Sequence, residues 1–164
     1  MFWKKIHKLG NPGRPIISAT NCPTERISSY IDDILQPLVK KIPTYVKDST
    51  YALQQIHRMT LQKGHSALLF TMDVKNLYTV IPHNDGLTAL KHFLNKRALQ
   101  QPPTETILRL AELVLSLNSF EFDGKYYRQK KGVAMGTKMG PSFANLYHPS
   151  IEFTRTTSAN TINF

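Results

Sequence analysis

Apolar positions along this chain alternate between two periods, and each change of period marks an element. From Thr24 to Ile42, Ile27, Tyr30, Ile31, Ile34, Leu35, Leu38 and Val39 share one face of a 3.6-residue repeat, which predicts an amphipathic helix. Pro37 should kink or divide it, and Pro43 should end it. Asp48 or Ser49 reads as the N-cap of a second helix with Ala52, Leu53, Ile56 and Met59 as its stripe and Gly64 as its break. Ser66 to Val74 is a nearly continuous apolar run, as expected of a buried central strand. Asn84 or Asp85 then caps a helix carrying Leu87, Leu90, Phe93 and Leu94. Thr104 caps another, with Glu105 in its first turn and Ile107, Leu110, Leu113, Val114 and Leu117 facing inward.

Phe120 to Tyr127 alternates around Asp123-Gly124, which predicts a hairpin closed by a type I′ turn. Pro141 belongs in the first turn of a last helix ending near Tyr147. Residues 1–23 are basic and broken by Gly10, Pro12, Gly13, Pro15 and Pro23, so loops are expected around a short strand at Pro15–Ser18. After Pro149 the apolar period is lost and a frayed tail is expected. Helices with a small, mostly antiparallel sheet make the class α+β.

Composition narrows the function. Hydrophobic residues at 41% are enough for a core, and 164 residues suit one domain. Lys and Arg number 21 against 11 Asp and Glu, a formal charge of +10, which favours a polyanionic partner such as nucleic acid. A soluble basic protein without such a partner is the plainer alternative. Cys22 is the single cysteine, so neither an internal disulfide nor a Cys-rich zinc site is available, and a reducing intracellular setting fits. No apolar run is long enough to span a bilayer, so no membrane partner is expected.

Candidate chemistry gathers at two segments. Asp73 ends the apolar run Leu68 to Val74, where a carboxylate can hold Mg²⁺ against phosphate oxygens or simply cap a turn. Tyr78 follows, as a ring beneath an incoming sugar or as a core tyrosine. Gly132, Gly136 and Gly140 allow close backbone approach, Lys130, Lys131 and Lys138 add positive charge, and the helix entered at Pro141 offers N–H groups to an anion. A plain loop before a helix explains the same glycines, and no Gly-Lys-Ser/Thr closes the segment as a P-loop would. Arg14, beside tight turns, can clamp a phosphate or belong to a solvated charge run. Tyr30-Ile31-Asp32-Asp33 imitates a polymerase metal motif. On a helix, however, adjacent aspartates diverge by about 100° and share no metal, so both are read as an exposed face. Histidines 7, 57, 65, 83, 92 and 148 have no metal-ligand spacing, and Ser18, Ser142 and Cys22 lie in no nucleophile motif.

Taken in order over about residues 5–152, these segments resemble the reverse transcriptase of Penelope-like retroelements, and more loosely those of other retroelements and telomerase. Asn11 to Ser18 is similar to a fingers motif. Pro23 to Glu25 and Tyr30 to Val39 are similar to the helical segment behind it. Asp73 to Pro82 is similar to the first palm motif, with Val80 where the family has Asn. Gly132 to Leu146 is similar to the second, with Gly140 where Ala or Ser is commoner. The resemblance implies a right-hand polymerase architecture, fingers-like over 1–65 and palm-like over 66–152, with a divergent tail at 153–164. It implies RNA-directed DNA synthesis with an RNA template, a DNA primer, deoxynucleoside triphosphates and Mg²⁺, in an intracellular setting that includes the nucleus. Asp73 would bind the metals and Tyr78 would exclude ribonucleotides. Lys5 and Arg14 would contact the triphosphate or template, while Gly132, Gly136, Lys138, Pro141 and Asn145 would support the nucleotide and template.

The family's paired-aspartate hairpin is expected after the last helix and does not occur in these 164 residues. Two-metal transfer draws carboxylates from both motifs onto ions about 4 Å apart. Little or no synthesis is therefore expected from this stretch alone, and a noncatalytic RNA- or DNA-binding module is the alternative.

Overall fold

The computed structural model describes residues 2–4, 13–15, 19–59, 74 and 76–147, with backbone alone at 2–4, 13–15 and 122. In chain order the elements are β1 (Phe2–Lys4), β2 (Gly13–Pro15), α1 (Glu25–Val39), α2 (Ser49–Arg58), α3 (Leu77–Val80), α4 (His83–Leu94), α5 (Thr104–Ser116), β3 (Ser119–Phe122) and β4 (Lys125–Arg128). A last helix, α6, spans 140–147. The described part is thus helix-rich with two small antiparallel sheets, an α+β arrangement.

Among the described residues the core is drawn mainly from helices. Helix α5 packs against both α1 and α4. Ile31, Leu35, Leu90, Leu94, Ile107, Val114 and Phe143 form one buried cluster drawn from α1, α4, α5 and α6. Phe143 fits because Gly86 of α4 has no side chain: a Cβ there would lie 2.7 Å from the ring's Cε1. Burying such residues supplies the main driving force for the fold, about 1.5–3 kcal/mol per side chain before ordering costs.

Several expected boundaries move. Of the strand expected at Pro15–Ser18, Pro15 falls in β2 (Gly13–Pro15), which pairs Arg14 with Trp3 of β1, and 16–18 lie outside the described residues. Helix α1 runs through Pro37 undivided and ends at Val39, before Pro43. The proline sits in the last turn, where few helical bonds remain to lose. Of its stripe Ile31, Leu35, Leu38 and Val39 are buried, Ile27 and Ile34 are half-buried against them, and Tyr30 is exposed. Helix α4 starts at His83 with Pro82 as N-cap, so Asn84 and Asp85 lie inside its first turn. Proline at the boundary has a fixed φ and no N–H to lose. Similarly Pro103, rather than Thr104, is the N-cap of α5. The α5 stripe is rotated: Ala111 and Leu115 are buried beside Ile107 and Val114, whereas Leu113 and Leu117 are exposed. Two neighbours, α1 and α4, cover that rotated face.

Helix α2 begins as expected, with the Asp48 carboxylate accepting the Tyr51 N–H at 2.8 Å. It ends at Arg58, ahead of Gly64, and no residue in it is buried. The hairpin matches its signature: Asp123 (φ 52°) and Gly124 (φ 68°) both occupy the left-handed region a type I′ turn requires. Helix α6 places Pro141 in its first turn and reaches Tyr147. The expected central strand at 66–74 lies outside the described residues except for an exposed Val74, and so does the expected tail after Pro149.

Candidate functional site

The structure ties the Tyr78 segment to the Gly132 segment through the backbone. Asn76, in the left-handed region at φ 59°, turns the chain into the single-turn helix α3. The Tyr78 carbonyl then accepts the Val133 N–H at 2.7 Å, and the Ile81 carbonyl accepts the Gly132 N–H at 3.1 Å. His83 Nε2–H donates to the Gly132 carbonyl at 2.8 Å, which fixes the imidazole tautomer. Gly132 has φ +75°, and a Cβ at this position would lie 2.6 Å from Thr79 Cα and closer still to the Tyr78 carbonyl. The glycine therefore serves the approach of two chain segments. A side chain would collide with backbone, which cannot move aside.

From Gly132 the chain winds into α6 through successive turns, Thr137 N–H to Ala134 carbonyl and Gly140 N–H to Thr137 carbonyl. Thr137 Oγ1 also donates to the Ala134 carbonyl at 2.9 Å. Helix α1 holds the start of α6. Ser28 Oγ accepts the Met139 N–H at 3.0 Å. Ser142 Oγ donates to the Asp32 carboxylate, and Gln36 Nε2 donates to Ser142 Oγ at 3.0 Å. A carboxylate in the first turn complements the positive end of a helix. Here that charge is the chain's own Asp32. Asp32 is thus half-buried and hydrogen-bonded, not part of an exposed face, while Asp33 is exposed as expected. The sequence contained a partial signal for this contact, since Ser28, Asp32 and Gln36 recur at four-residue spacing on one side of α1. Their partner, over a hundred positions away, was unreadable without the fold.

The expected site residues separate into groups. Tyr78 and Gly132 are brought together; Tyr78 is half-buried and packs against the core cluster. Gly136 is half-buried in the turn, whereas Lys138, Pro141 and Asn145 are exposed around the start and outer side of α6. Arg14 is fixed by its backbone in β2. Asp73 and Lys5 lie outside the described residues, so the structure bears on neither. Sequence reasoning missed His83 and the Ser28–Asp32–Ser142 contact, which join the motif segments to their supports. At the far end of α6, burial and then the negative charge of Asp85 raise the Tyr147 phenol above its usual pKa. The protonated phenol is favoured in the fold, so any stability drawn from it is lost as pH rises through that raised value.

Among the described residues no helix is long and apolar enough to cross a membrane. No protein family, curated protein or solved structure matches this chain.

Proposed function

We propose that this stretch is the fingers and first palm segments of a reverse-transcriptase domain from a retroelement, built for RNA-templated, Mg²⁺-dependent DNA synthesis. The observation that carries the reading is the junction between Tyr78 and Val133, a 2.7 Å hydrogen bond between segments far apart in sequence. The two motifs that would line one nucleotide site thereby share one backbone joint. The charge of +10 suits a primer–template.

In this reading Asp73 would hold Mg²⁺, which when bound would supply charge neutralisation to phosphoryl transfer. Tyr78 limits the space beside the sugar, and Arg14, Lys5 and Lys138 neutralise phosphates. The junction at Gly132 sets how far the Tyr78 segment stands from α6. These 164 residues contribute one metal carboxylate to a reaction that needs two sets.

Primer extension on an RNA template tests the proposal. The expected outcome is primer–template binding that weakens with salt, with little synthesis from these residues alone. No affinity at low salt would sink the reading. Robust synthesis abolished by Asp73→Ala would keep the lineage and overturn the expected inactivity.

A second reading, a noncatalytic nucleic-acid-binding module, is favoured by the placement of the chain's one Asp-Asp pair. Asp32 is held by Ser142, while Asp33 faces solvent on the same helix, so the two do not converge on a metal. Salt-dependent binding unchanged by Asp73→Ala, with no synthesis, would select this reading.

A further inference from the structure

The β3–β4 hairpin leaves the helical core and exposes its side chains. All four residues of β4, Lys125–Arg128, are exposed, and Tyr126 retains 82% of its surface. Pairing is in register, with Tyr126 opposite Glu121 and Arg128 opposite Ser119. Gln129 N–H to the Asn118 carbonyl at 3.0 Å carries the pairing one residue further. Alternation therefore puts Tyr126 and Arg128 on one face with their partners Glu121 and Ser119, about 7 Å separating neighbours along the strand; Lys130 follows just past the strand's end. The opposite face carries Phe120 stacked on Tyr127, ring centroids 5.5 Å apart and planes 20° from parallel. That pair stiffens the ribbon.

Charge on the hairpin is mixed but net positive: Glu121, as the cross-strand partner of Tyr126, shares its face, and Lys125 lies on the other. Lys125, Arg128, Lys130 and Lys131 crowd β4 and its continuation, while the hairpin's two acids, Glu121 and Asp123, lie on β3 and in the turn. The ion pairs among the described residues, Lys91–Glu105 and Arg109–Glu112, leave these cations unengaged. A flat ring in water beside exposed cations suits a strand whose bases are open for stacking.

We propose that this face binds single-stranded nucleic acid, one base stacking on Tyr126 while Arg128 and Lys130 hold neighbouring phosphates. The inference goes beyond the polymerase reading and does not need it, since Tyr126 and Arg128 lie outside the Tyr78–Gly132 site. A duplex would withhold its base faces, and an acidic peptide would answer the cations but not the ring. Stacking and phosphate contacts are available from RNA and DNA single strands alike, so both should bind.

The test is fluorescence anisotropy of the whole chain with labelled mixed-sequence single strands, RNA and DNA, and with the corresponding duplex. It is run in excess chelator, with polyglutamate as competitor. Tyr126→Ala should weaken binding of both single strands about five- to hundredfold. Tyr126→Phe should bind like the parent, and the Arg128→Ala/Lys130→Ala variant should bind more weakly with a shallower salt dependence. Full-strength binding by Tyr126→Ala, equal affinity for the duplex, or equally effective competition by polyglutamate would each overturn the proposal. The side chains are exposed, so their loss removes no core contact, and an unchanged circular dichroism spectrum verifies the fold. Because metal is absent, failure of primer extension leaves this result standing, and loss of hairpin binding leaves the metal-dependent reading standing.

Discussion

Helices α1 and α2 carry apolar stripes of similar regularity, and the fold treats them in opposite ways. In α1, Ile31 and Leu35 have 0% of their surface exposed, with α5 against the helix and Ser142 hydrogen-bonded to Asp32 beside them. In α2, Leu53 and Ile56 keep 58% and 54% of theirs, and Met59 just beyond keeps 75%. The N-cap differs too: Asp48 caps α2 through its own carboxylate, whereas Thr24 makes no such bond to α1. Helix α2 is thus well specified locally and has no buried residue, while α1 is capped less well and held by its neighbours among the described residues. Periodicity is a property of one segment, whereas burial requires a second surface in the right place.

The comparison is tested most strongly by removing the same kind of side chain from each helix. Leu35→Ala should cost about 2–5 kcal/mol, read as a lower denaturant midpoint with unchanged slope. Equal losses from Leu35→Ala and Ile56→Ala would show that α2 is buried against something after all. A smaller effect is expected at the junction of the two motif segments. Gly132→Ala combines a disfavoured positive φ with a collision against the Tyr78–Thr79 backbone, and should cost at least ~1–3 kcal/mol. Thermal melting would register this, and a variant as stable as the parent would mean the two segments are not in contact. Next comes Ser142→Ala, which removes the hydroxyl bridging Asp32 and Gln36, leaves them only their long 3.5 Å contacts with each other, and should cost about 1–3 kcal/mol. A double-mutant cycle with Asp32→Ala isolates the pair, and additive losses would remove the argument that α1 anchors α6 through it. Smallest of all, Ile56→Ala should stay within about 0.5 kcal/mol of the parent.

Legibility followed locality. The Asp123-Gly124 turn, the Asp48 cap and the start of α6 near Pro141 were readable because each depends on the φ, ψ and hydrogen bonds of a few adjacent residues. The undivided α1, the rotated α5 stripe and the exposed Tyr30 were not, because each is settled by which neighbour arrives and from what side. The candidate site divides in the same way. Gly132 stood out as a residue needing freedom, but only the fold showed that Tyr78 and Thr79 are what it approaches. Asp32 looked like a solvated charge until Ser142 was placed beside it.

By itself, then, the chain's order of residues determined where helices and turns form, the class they build, the surplus of positive charge and the succession of motifs. Tertiary structure alone decided which stripes are covered, that Asp32 accepts from Ser142 in the first turn of α6, and that the Tyr78 and Gly132 segments meet. The physical reason is range: backbone preference and capping act over a few residues, whereas packing and long-range hydrogen bonds depend on surfaces that sequence distance does not reveal.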